Sequence, residues 1–499
     1  MINFSRRHWH YLVAGFVCML VSTVFEGAQL GAIMPVVDRC FNNQPIVIKG
    51  LPDFLVSVLP LQAFLIWLNN LDRNTIFYGM IWLTPVFFVL KGVFFYAQGY
   101  FMNEVAQRSV ADVRGNLFRK YQDLSLDFYS QKRQGELMSR ITNDTGYISN
   151  AISYGMTDVV TQSVLALVCA GAACAINWKL VLVVIVVFSF NAVVIYLVGK
   201  TIKKQSICSQ ESMADLSSIL AETNQGVAIV KAFSREKHEI DRFDAGNNRY
   251  YKAMAKSIRR TLFLTPVSEF LAGLAIAAIV WFGGRDVLDG KMSFGVFVFF
   301  MGALMSILRP IKKLTGVYGI NQQALAATKR IYDILDWKPS VMELPSAVEA
   351  APPEAHIRFH DVSFKYEKAE ERWIIKNFSH DFEVGKTTAL VGPTGCGKTT
   401  VINMILRFYD PDKGVILFDD QDIKQVTVDS LRRHEGLVTQ DMILFNESIR
   451  ENLRYGKLDA TDDEIIEAAR QALALEFIER MPSGLDTVIG DRGFKLSGG

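Results

Sequence analysis

Long apolar stretches separated by polar connections occupy the first 315 residues of the chain. Six such stretches lie at 11–37, 76–100, 157–176, 180–199, 262–282 and 295–308. Most of them are close to the ~20 residues that a helix needs to cross the hydrocarbon core of a bilayer. The pattern predicts an α-helical transmembrane domain of six spans with long cytoplasmic extensions, within residues 1–336.

A further apolar run at 51–68 competes as a seventh span, but Pro52, Asp53 and Pro60 interrupt it. Basic residues cluster before the first stretch and in the second and fourth connections, which places those segments in the cytoplasm. A seventh span would move the basic connections outside the cell. We therefore expect 51–68 to be an outward-facing interfacial segment and the first stretch to be a retained helix, not a signal peptide.

The two basic connections, at 103–144 and 203–244, are too long to be turns. They contain mixed charges and few prolines, which favours helix, so the spans are expected to continue well into the cytoplasm. Such extensions predict that another domain docks on the cytoplasmic side.

Composition agrees with a membrane protein, since half of the residues are hydrophobic and 34 are phenylalanine. The formal charge of +2 is too near balance to indicate nucleic acid as a partner. The cysteines show no metal-ligand spacing, so we expect free thiols and no disulfides. They are Cys18, Cys40, Cys169, Cys174, Cys208 and Cys396.

The composition changes after Trp337. Residues 337–355 are proline-rich and acidic and are predicted to be a linker, and the alternating sequence from His356 predicts a half-buried strand. An apolar strand at Thr388–Val391 then leads into a glycine-rich loop and a helix. Residues 356–499 are therefore predicted to form an α/β domain of the P-loop type.

The glycine-rich loop predicts a site for a nucleotide and Mg²⁺. Its glycines let successive amides face phosphate, Lys398 adds a positive charge for the β- and γ-phosphates, and the Thr399 hydroxyl suits Mg²⁺. Kinase, GTPase and ATPase remain open on this pattern alone. The candidate nucleotide ligands are Gly392, Pro393, Thr394, Gly395, Cys396, Gly397, Lys398, Thr399 and Thr400.

Three further features narrow the function. Tyr366, at the end of the first strand, could stack on a base, although a core aromatic would look the same. Gln440 ends a predicted apolar strand, where its amide could contact a metal or the attacking water. The last four residues read Leu-Ser-Gly-Gly.

With six preceding spans, these motifs resemble an ATP-binding cassette (ABC) exporter half-transporter, over essentially the whole chain. The resemblance implies that Tyr366 stacks on the adenine of ATP, that Gln440 links nucleotide to the membrane helices, and that the long connections carry coupling helices. It also implies a second half-transporter, identical in a homodimer, whose ATP is contacted by the signature residues Ser497, Gly498 and Gly499. Asp420 stands where the family commonly has a turn glycine, and aspartate tolerates left-handed backbone.

Three segments look closest to the MsbA-type lipid flippase branch: 127–144, 308–323 and 486–499. The resemblance implies export of a lipopolysaccharide precursor across the inner membrane, with Lys91, Arg309 and Lys312 facing its phosphorylated head group. Those bases could instead anchor helix ends or snorkel. Glu26 and Glu269 are also intramembrane, and could pair with these bases or favour a cationic drug, so a multidrug exporter remains an alternative.

The sequence stops at the signature, before the acidic pair and the switch histidine that the family carries further on. We expect a partial sequence, so that a form ending at Gly499 would bind nucleotide weakly and hydrolyse none. An ATP-binding membrane protein without hydrolysis is the remaining alternative.

Overall fold

The computed structural model describes residues 6–42, 44–45, 66–67, 69–132, 134–366, 372–440 and 443–490. The chain divides into two compact units. The helical unit comprises Met1–Asp123 and Lys132–Trp337, and the sheet unit comprises Leu124–Gln131 and Lys338–Gly499.

Ten α-helices precede the sheet in the described residues. They are α1 Trp9–Gly31, α2 Ile33–Pro35, α3 Arg73–Asp123, α4 Leu126–Gln131, α5 Gln134–Ser139, α6 Thr145–Asn150, α7 Thr157–Gln225, α8 Val227–Ala232, α9 Glu236–Leu288 and α10 Phe294–Leu335. A 3-10 turn at Arg6–His8 precedes α1, and π-helical turns join several helices, at Val36–Phe41, Arg140–Asp144 and Ala151–Met156.

Five helical stretches of the described chain are long and apolar enough to cross a membrane: Trp9–Phe41, Arg73–Asp123, Gln134–Phe190, Glu236–Leu288 and Phe294–Leu335. The third contains the predicted span at 157–176 and most of that at 180–199. These two are separated by a break at Asn177 (φ −158°, ψ 93°). The Asn177 side chain accepts the amides of Lys179 and Leu180 and so caps a new helix.

The division into six spans therefore stays a prediction. The run at 51–68 lies outside the described residues except for Ile66 and Trp67, which are exposed.

The predicted helical connections are confirmed. Helix α3 has 51 residues, which at 1.5 Å per residue gives a length of about 75 Å, far more than the ~30 Å hydrocarbon core. Helix α7 likewise runs on to Gln225. The extensions are thus continuous with the membrane-crossing segments.

The buried Asp38 carboxylate connects the residues just after the first apolar stretch to the start of α10 by hydrogen bonds. Asp38 accepts the Gly295 amide at 2.6 Å and the Ser293 hydroxyl at 2.5 Å, while the Ser293 oxygen accepts the Val296 amide. A Cβ on Gly295 would lie 2.6 Å from the Asp38 carboxyl carbon. Glycine is therefore needed for this close approach.

A second buried carboxylate joins the cytoplasmic extensions. Asp144 ends the π-helical turn Arg140–Asp144, and its side chain is 3% exposed. Arg330 of α10 donates to both of its oxygens, and Arg140 donates to one of them at 3.1 Å. This bidentate contact raises the pKa of Arg330, chiefly through the hydrogen bonds to Asp144.

The sheet unit contains a four-stranded antiparallel sheet in the order β2-β1-β3-β4. Its strands are β1 His356–Phe364, β2 Ile375–Glu383, β3 Lys413–Phe418 and β4 Gln421–Asp422. The helices of this part are α11 Lys398–Ile405, α12 Val428–Arg432, α13 Ile449–Arg454, α14 Asp462–Gln471 and α15 Leu475–Glu479, with 3-10 turns at Ile423–Gln425 and Gly484–Asp486. The core between sheet and helices includes Phe359, Val362, Met404, Ile416 and Leu431.

The predicted strand β1 and the helix after the glycine-rich loop are confirmed. The predicted strand at Thr388–Val391 is wrong for this structure, as is that before Gln440, because neither segment pairs with a described strand. Val391 is 91% and Val438 90% exposed, whereas Leu390 packs against the core. In the turn between β3 and β4, the left-handed residue is Asp419 (φ 53°), one position before Asp420.

Candidate functional site

The glycine-rich loop precedes α11 and depends on two left-handed glycines. Gly395 has φ 83°, and Gly397, the residue before the helix, has φ 99°. A Cβ on Gly397 would also lie 3.1 Å from Ile375 Cγ1 and 3.4 Å from the Ile374 carbonyl oxygen. Both conformation and space therefore require glycine where the loop turns into the helix.

Lys398, the first residue of α11, folds back across the loop. Its ammonium group donates to the carbonyl oxygens of Gly392 at 2.8 Å and Pro393 at 3.0 Å, and faces Cys396 Sγ at 3.9 Å. An ammonium has three donors, and sulfur is a weak acceptor. One N–H can therefore turn to an anion while the other two hold the lysine over the loop.

The loop fits a nucleotide phosphate chain and its metal. Within the described chain, the amides of Gly395, Gly397 and Lys398 donate to no protein acceptor. They lie at the N-terminus of α11, where unpaired amides and the helix dipole favour an anion. Thr399 in the first turn is exposed, and its hydroxyl is an oxygen ligand of the kind that Mg²⁺ prefers.

Tyr366 belongs to a group of three aromatic rings. Its hydroxyl lies 2.9 Å from the Thr400 hydroxyl in α11, and its ring meets Phe364 and Tyr409 edge-on at 5.0 and 5.1 Å. The ring is thus held beside the P-loop helix, yet it remains partly exposed. Part of the Tyr366 ring therefore packs in the core, and its stacking on a nucleotide base stays a prediction.

Other candidates are not brought to the loop. Gln440 is exposed, and the described residues show no contact between it and the loop. Ser497, Gly498 and Gly499 lie outside the described residues.

Sequence reasoning missed Arg407, which is fully buried and has a positive φ of 48°. Its guanidinium donates to the carbonyl oxygens of Val426 at 2.8 Å, Met342 at 3.3 Å and Lys424 at 3.4 Å. Within the sheet unit, it thereby connects the predicted linker at Met342 to the segment that contains Lys424 and Val426. An arginine two residues before a tyrosine carries no sequence signal for such a role.

Sequence reasoning also missed Tyr409, which is 7% exposed and packs edge-on against the Tyr366 ring. Burial raises the pKa of the Tyr409 phenol, and the nearby Asp127 carboxylate of α4 adds to the shift. The Val341 amide donates to Ser125 Oγ, just before α4, at 3.1 Å. Helix α4 is therefore an integral part of the sheet unit.

Glu435 lies in the segment that leads to Gln440, and both of its carboxylate oxygens are buried without a hydrogen-bond partner in the described chain. Burial raises the pKa of Glu435 to about 7, although the nearby Arg432 opposes the shift. The same burial lowers the pKa of Arg432.

The predicted charged residues of the membrane helices differ in whether they have ion-pair partners. Lys91 of α3 forms an ion pair with Glu26 of α1, with Nζ and Oε2 3.5 Å apart and side chains 26% and 23% exposed. Arg309, Lys312 and Glu269 are exposed and take part in no ion pair of the described chain. The paired base just beyond the predicted sixth span is their neighbour Lys313, whose Nζ lies 3.1 Å from Asp158 Oδ1 of α7.

Two family models match the sequence of this chain. The model of the ABC transporter transmembrane region matches residues 43–311, and a model described as ABC transporter matches residues 375–499, which include the loop. The chain belongs to the ABC transporter family. It is an ATPase-coupled transporter of the exporter fold, a multi-pass inner-membrane protein with a cytoplasmic ATP-binding domain.

Individual relatives of this ABC transporter support the assignment. The ATP-dependent lipid A-core flippase of Syntrophus aciditrophicus is 34% identical over 499 residues, which cover all of this chain and 78% of the relative. The putative multidrug export ATP-binding/permease protein YgaD of Bacillus subtilis is 33% identical over 86% of this chain and 74% of the relative. A solved bacterial Atm1-family ABC exporter with ATP bound matches 98% of this chain and 81% of its own, with 25% identity and a TM-score of 0.70.

Proposed function

We propose that this ABC transporter uses ATP to move a lipid of the lipid A-core type across the inner membrane. Relatives that carry the name lipid A-core flippase match the whole chain at 29 to 34% identity. The observation that carries the proposal is the intramembrane pair of Lys91 with Glu26. A base at this depth costs several kcal/mol unless it meets a counter-charge. Glu26 supplies that charge without substrate, and a phosphorylated head group would take its place when the lipid binds.

In the proposed nucleotide site, the free amides of the loop and Lys398 hold the phosphates of ATP, and Tyr366 contacts the base. Mg²⁺, when bound, offsets the negative charge of the β- and γ-phosphates. The Thr399 hydroxyl would hold it, together with the amide oxygen of Gln440.

We further propose that two identical chains form the transporter. The signature residues Ser497, Gly498 and Gly499 of each copy then meet the γ-phosphate held by the loop of the other copy. This arrangement rests on the resemblance to exporters, in which two nucleotide domains enclose two ATP molecules.

Energy coupling is tested with Lys398→Ala in the natural full chain, in lipid nanodiscs with Mg-ATP. Removal of the cation that meets the transferring phosphoryl charge should abolish hydrolysis. Lys386→Ala is the matched control, because Lys386 pairs with Glu383 on the surface of the same unit. Undiminished hydrolysis in Lys398→Ala would refute the assignment, and absence of hydrolysis in the wild type would favour the nucleotide-binding alternative.

The class of transported compound is tested by a variant in which Lys91, Arg309 and Lys312 are all replaced by glutamine. Stimulation of ATPase by a diphosphorylated lipid should fall far more than stimulation by an uncharged apolar drug, since only the lipid supplies counter-charges. Equal losses would favour the second candidate, a multidrug exporter. That alternative rests on YgaD and on Glu26 and Glu269, which suit a cationic compound.

A further inference from the structure

An arginine of α12 holds the carbonyl groups at the C-terminal end of the P-loop helix α11. Arg432 donates from Nε to the Leu406 carbonyl oxygen at 3.0 Å and from Nη2 to that of Arg407 at 3.2 Å. Its guanidinium also lies over the Phe408 ring, 4.9 Å from the ring centroid. The last carbonyls of a helix carry a negative partial charge, so a cation here stabilises the end opposite to the phosphate site.

Helix α11 is short enough for its two ends to move together. Its eight residues, Lys398–Ile405, span about 12 Å. Val401 and Met404 are buried in the core, and the Phe408 amide donates to the Asn403 carbonyl oxygen at 2.9 Å. A rigid helix of about two turns carries a displacement of its C-terminal end to the loop amides at its N-terminus.

Glu435, three residues after α12, has a carboxyl group in surroundings that disfavour its charged form. Both carboxyl oxygens are buried, and neither has a hydrogen-bond partner in the described chain. Arg432 attracts the charged form without being hydrogen-bonded to it. An ionised carboxyl without hydrogen bonds is costly to bury, so the pKa of Glu435 rises to about 7. Glu435 therefore changes its charge near neutral pH.

The elements around Glu435, namely α12, the end of α11 and the linker, carry further charged groups. Arg432 favours the ionised carboxyl, and Arg407 faces Arg432 from the end of α11. The ring of His434 is hydrogen-bonded to the Ala350 carbonyl oxygen at 3.2 Å. Other charged side chains of these elements have their own partners: Arg407 with Asp410, Arg433 with Asp429, and Glu343 with the Val428 amide. Arg432 is thus the cation on which an ionised Glu435 acts.

We propose that Glu435 is a proton-sensitive positioning residue that determines how firmly Arg432 holds the C-terminal end of the P-loop helix. When Glu435 is neutral, Arg432 donates to both carbonyls. Ionisation places a negative charge near the guanidinium, which draws Arg432 toward the carboxylate and offsets its charge at the helix end. The affinity for nucleotide phosphates then falls as pH rises through neutral. The inference rests on the proposed nucleotide site and adds to it a dependence on cytoplasmic pH.

The test compares nucleotide binding by the wild type and by Glu435→Gln, whose side chain stays neutral at every pH. Binding of a non-hydrolysable ATP analogue is measured from about pH 6 to about pH 8.5 with the natural full chain in nanodiscs. The dissociation constant of the wild type, divided by that of the variant, should rise roughly two- to fivefold over this interval, as expected for one charge at a helix end. The ratio cancels the protonation of His434 and of the nucleotide. A ratio that stays constant would overturn the proposal.

Further measurements identify the route. Inorganic tripolyphosphate should give the same rise as the ATP analogue, because α11 meets the phosphates and not the base; a rise with the analogue alone would contradict the route through α11. In an Arg432→Gln background, Glu435→Gln should no longer alter the pH profile, and a retained effect would exclude Arg432 as the link. Glu479→Gln, at an exposed carboxylate of α15, is the matched control and should follow the wild type.

Folding and binding separate the possible failures. If Arg432→Gln does not fold, the wild type and Glu435→Gln still decide the question with the two ligands. A wild type that binds the ligands with a constant ratio would refute the role of Glu435 and leave the nucleotide site intact. A wild type that binds neither ligand at any pH would refute both the site and the inference.

Discussion

Replacement of Asp144 by asparagine tests whether the cytoplasmic extensions depend on one buried charge. The change preserves size but removes the counter-charge of Arg330 and Arg140, which both donate to this carboxylate. Two guanidinium groups would then face each other across an uncharged amide. The helical unit should therefore be destabilised at the contact between α10 and the π-helical turn.

The expected magnitude follows from the burial of the three side chains. Removal of one partner from a fully buried ion pair costs about 3–5 kcal/mol. Asp144 is buried to that degree, but Arg330 is 37% exposed and recovers part of its hydration. We expect a loss of about 2–4 kcal/mol, which corresponds to a fall of roughly 4–8 °C in melting temperature for a large domain.

The measurement is thermal unfolding of the natural full chain in nanodiscs, with Asp158→Asn as the matched control. Asp158 and Lys313 also join α7 to α10, but both side chains are partly exposed. Such a pair contributes about 1 kcal/mol or less. Adding Arg330→Gln to Asp144→Asn should restore part of the loss, because it removes a guanidinium left without its partner. A loss in Asp144→Asn no larger than in Asp158→Asn would refute the reasoning.

Two further predictions concern single contacts. Gly295→Ala should lower the melting temperature of the helical unit by several degrees, because the added methyl would overlap the Asp38 carboxylate, while Gly316→Ala, at an open position further along α10, serves as the control. Glu435→Gln should stabilise the sheet unit above pH 7 and have no effect below about pH 4.5. The pKa of the Glu435 carboxyl is 4.5 in the unfolded chain but about 7 in the folded protein, so the stability of the wild type falls as pH rises through this interval. Chemical denaturation measures the stability difference between variant and wild type, and a difference that stays constant across this interval would contradict the raised pKa.

Hydrophobic periodicity and motif spacing were sufficient to predict the helices, strands and loops that depend mainly on nearby sequence. The apolar stretches, the long helical connections, strand β1 and the loop that precedes α11 all have signals within a few residues of themselves. Gly397, just before Lys398, is an example, because the tight turn into α11 needs a positive φ, which glycine adopts most easily. The roles of the individual site residues stay predictions.

Strand formation depends less on the local sequence than helix formation does. Thr388–Val391 has the apolar, β-branched sequence of a buried strand, but a strand exists only where a neighbour accepts and donates its hydrogen bonds. The described residues supply no such neighbour, so the segment is extended and open. The expectation that residues 1–499 alone hydrolyse no ATP likewise stays a prediction.

Partners of buried residues could not be predicted, because an apolar pattern indicates burial without indicating what covers it. Leu124, between α3 and α4, and Phe128 of α4 are both buried. The sequence assigned them to a continuous helical connection, whereas the structure places α4 in the sheet unit. The contact of Val341 with Ser125, just before α4, spans 216 residues, and the contact of Arg330 with Asp144 spans 186 residues. Loop closure over such separations costs chain entropy that grows only slowly with length, so long separations do not prevent these contacts. No local pattern reveals them, although they join the cytoplasmic helices to each other and α4 to the rest of the sheet unit.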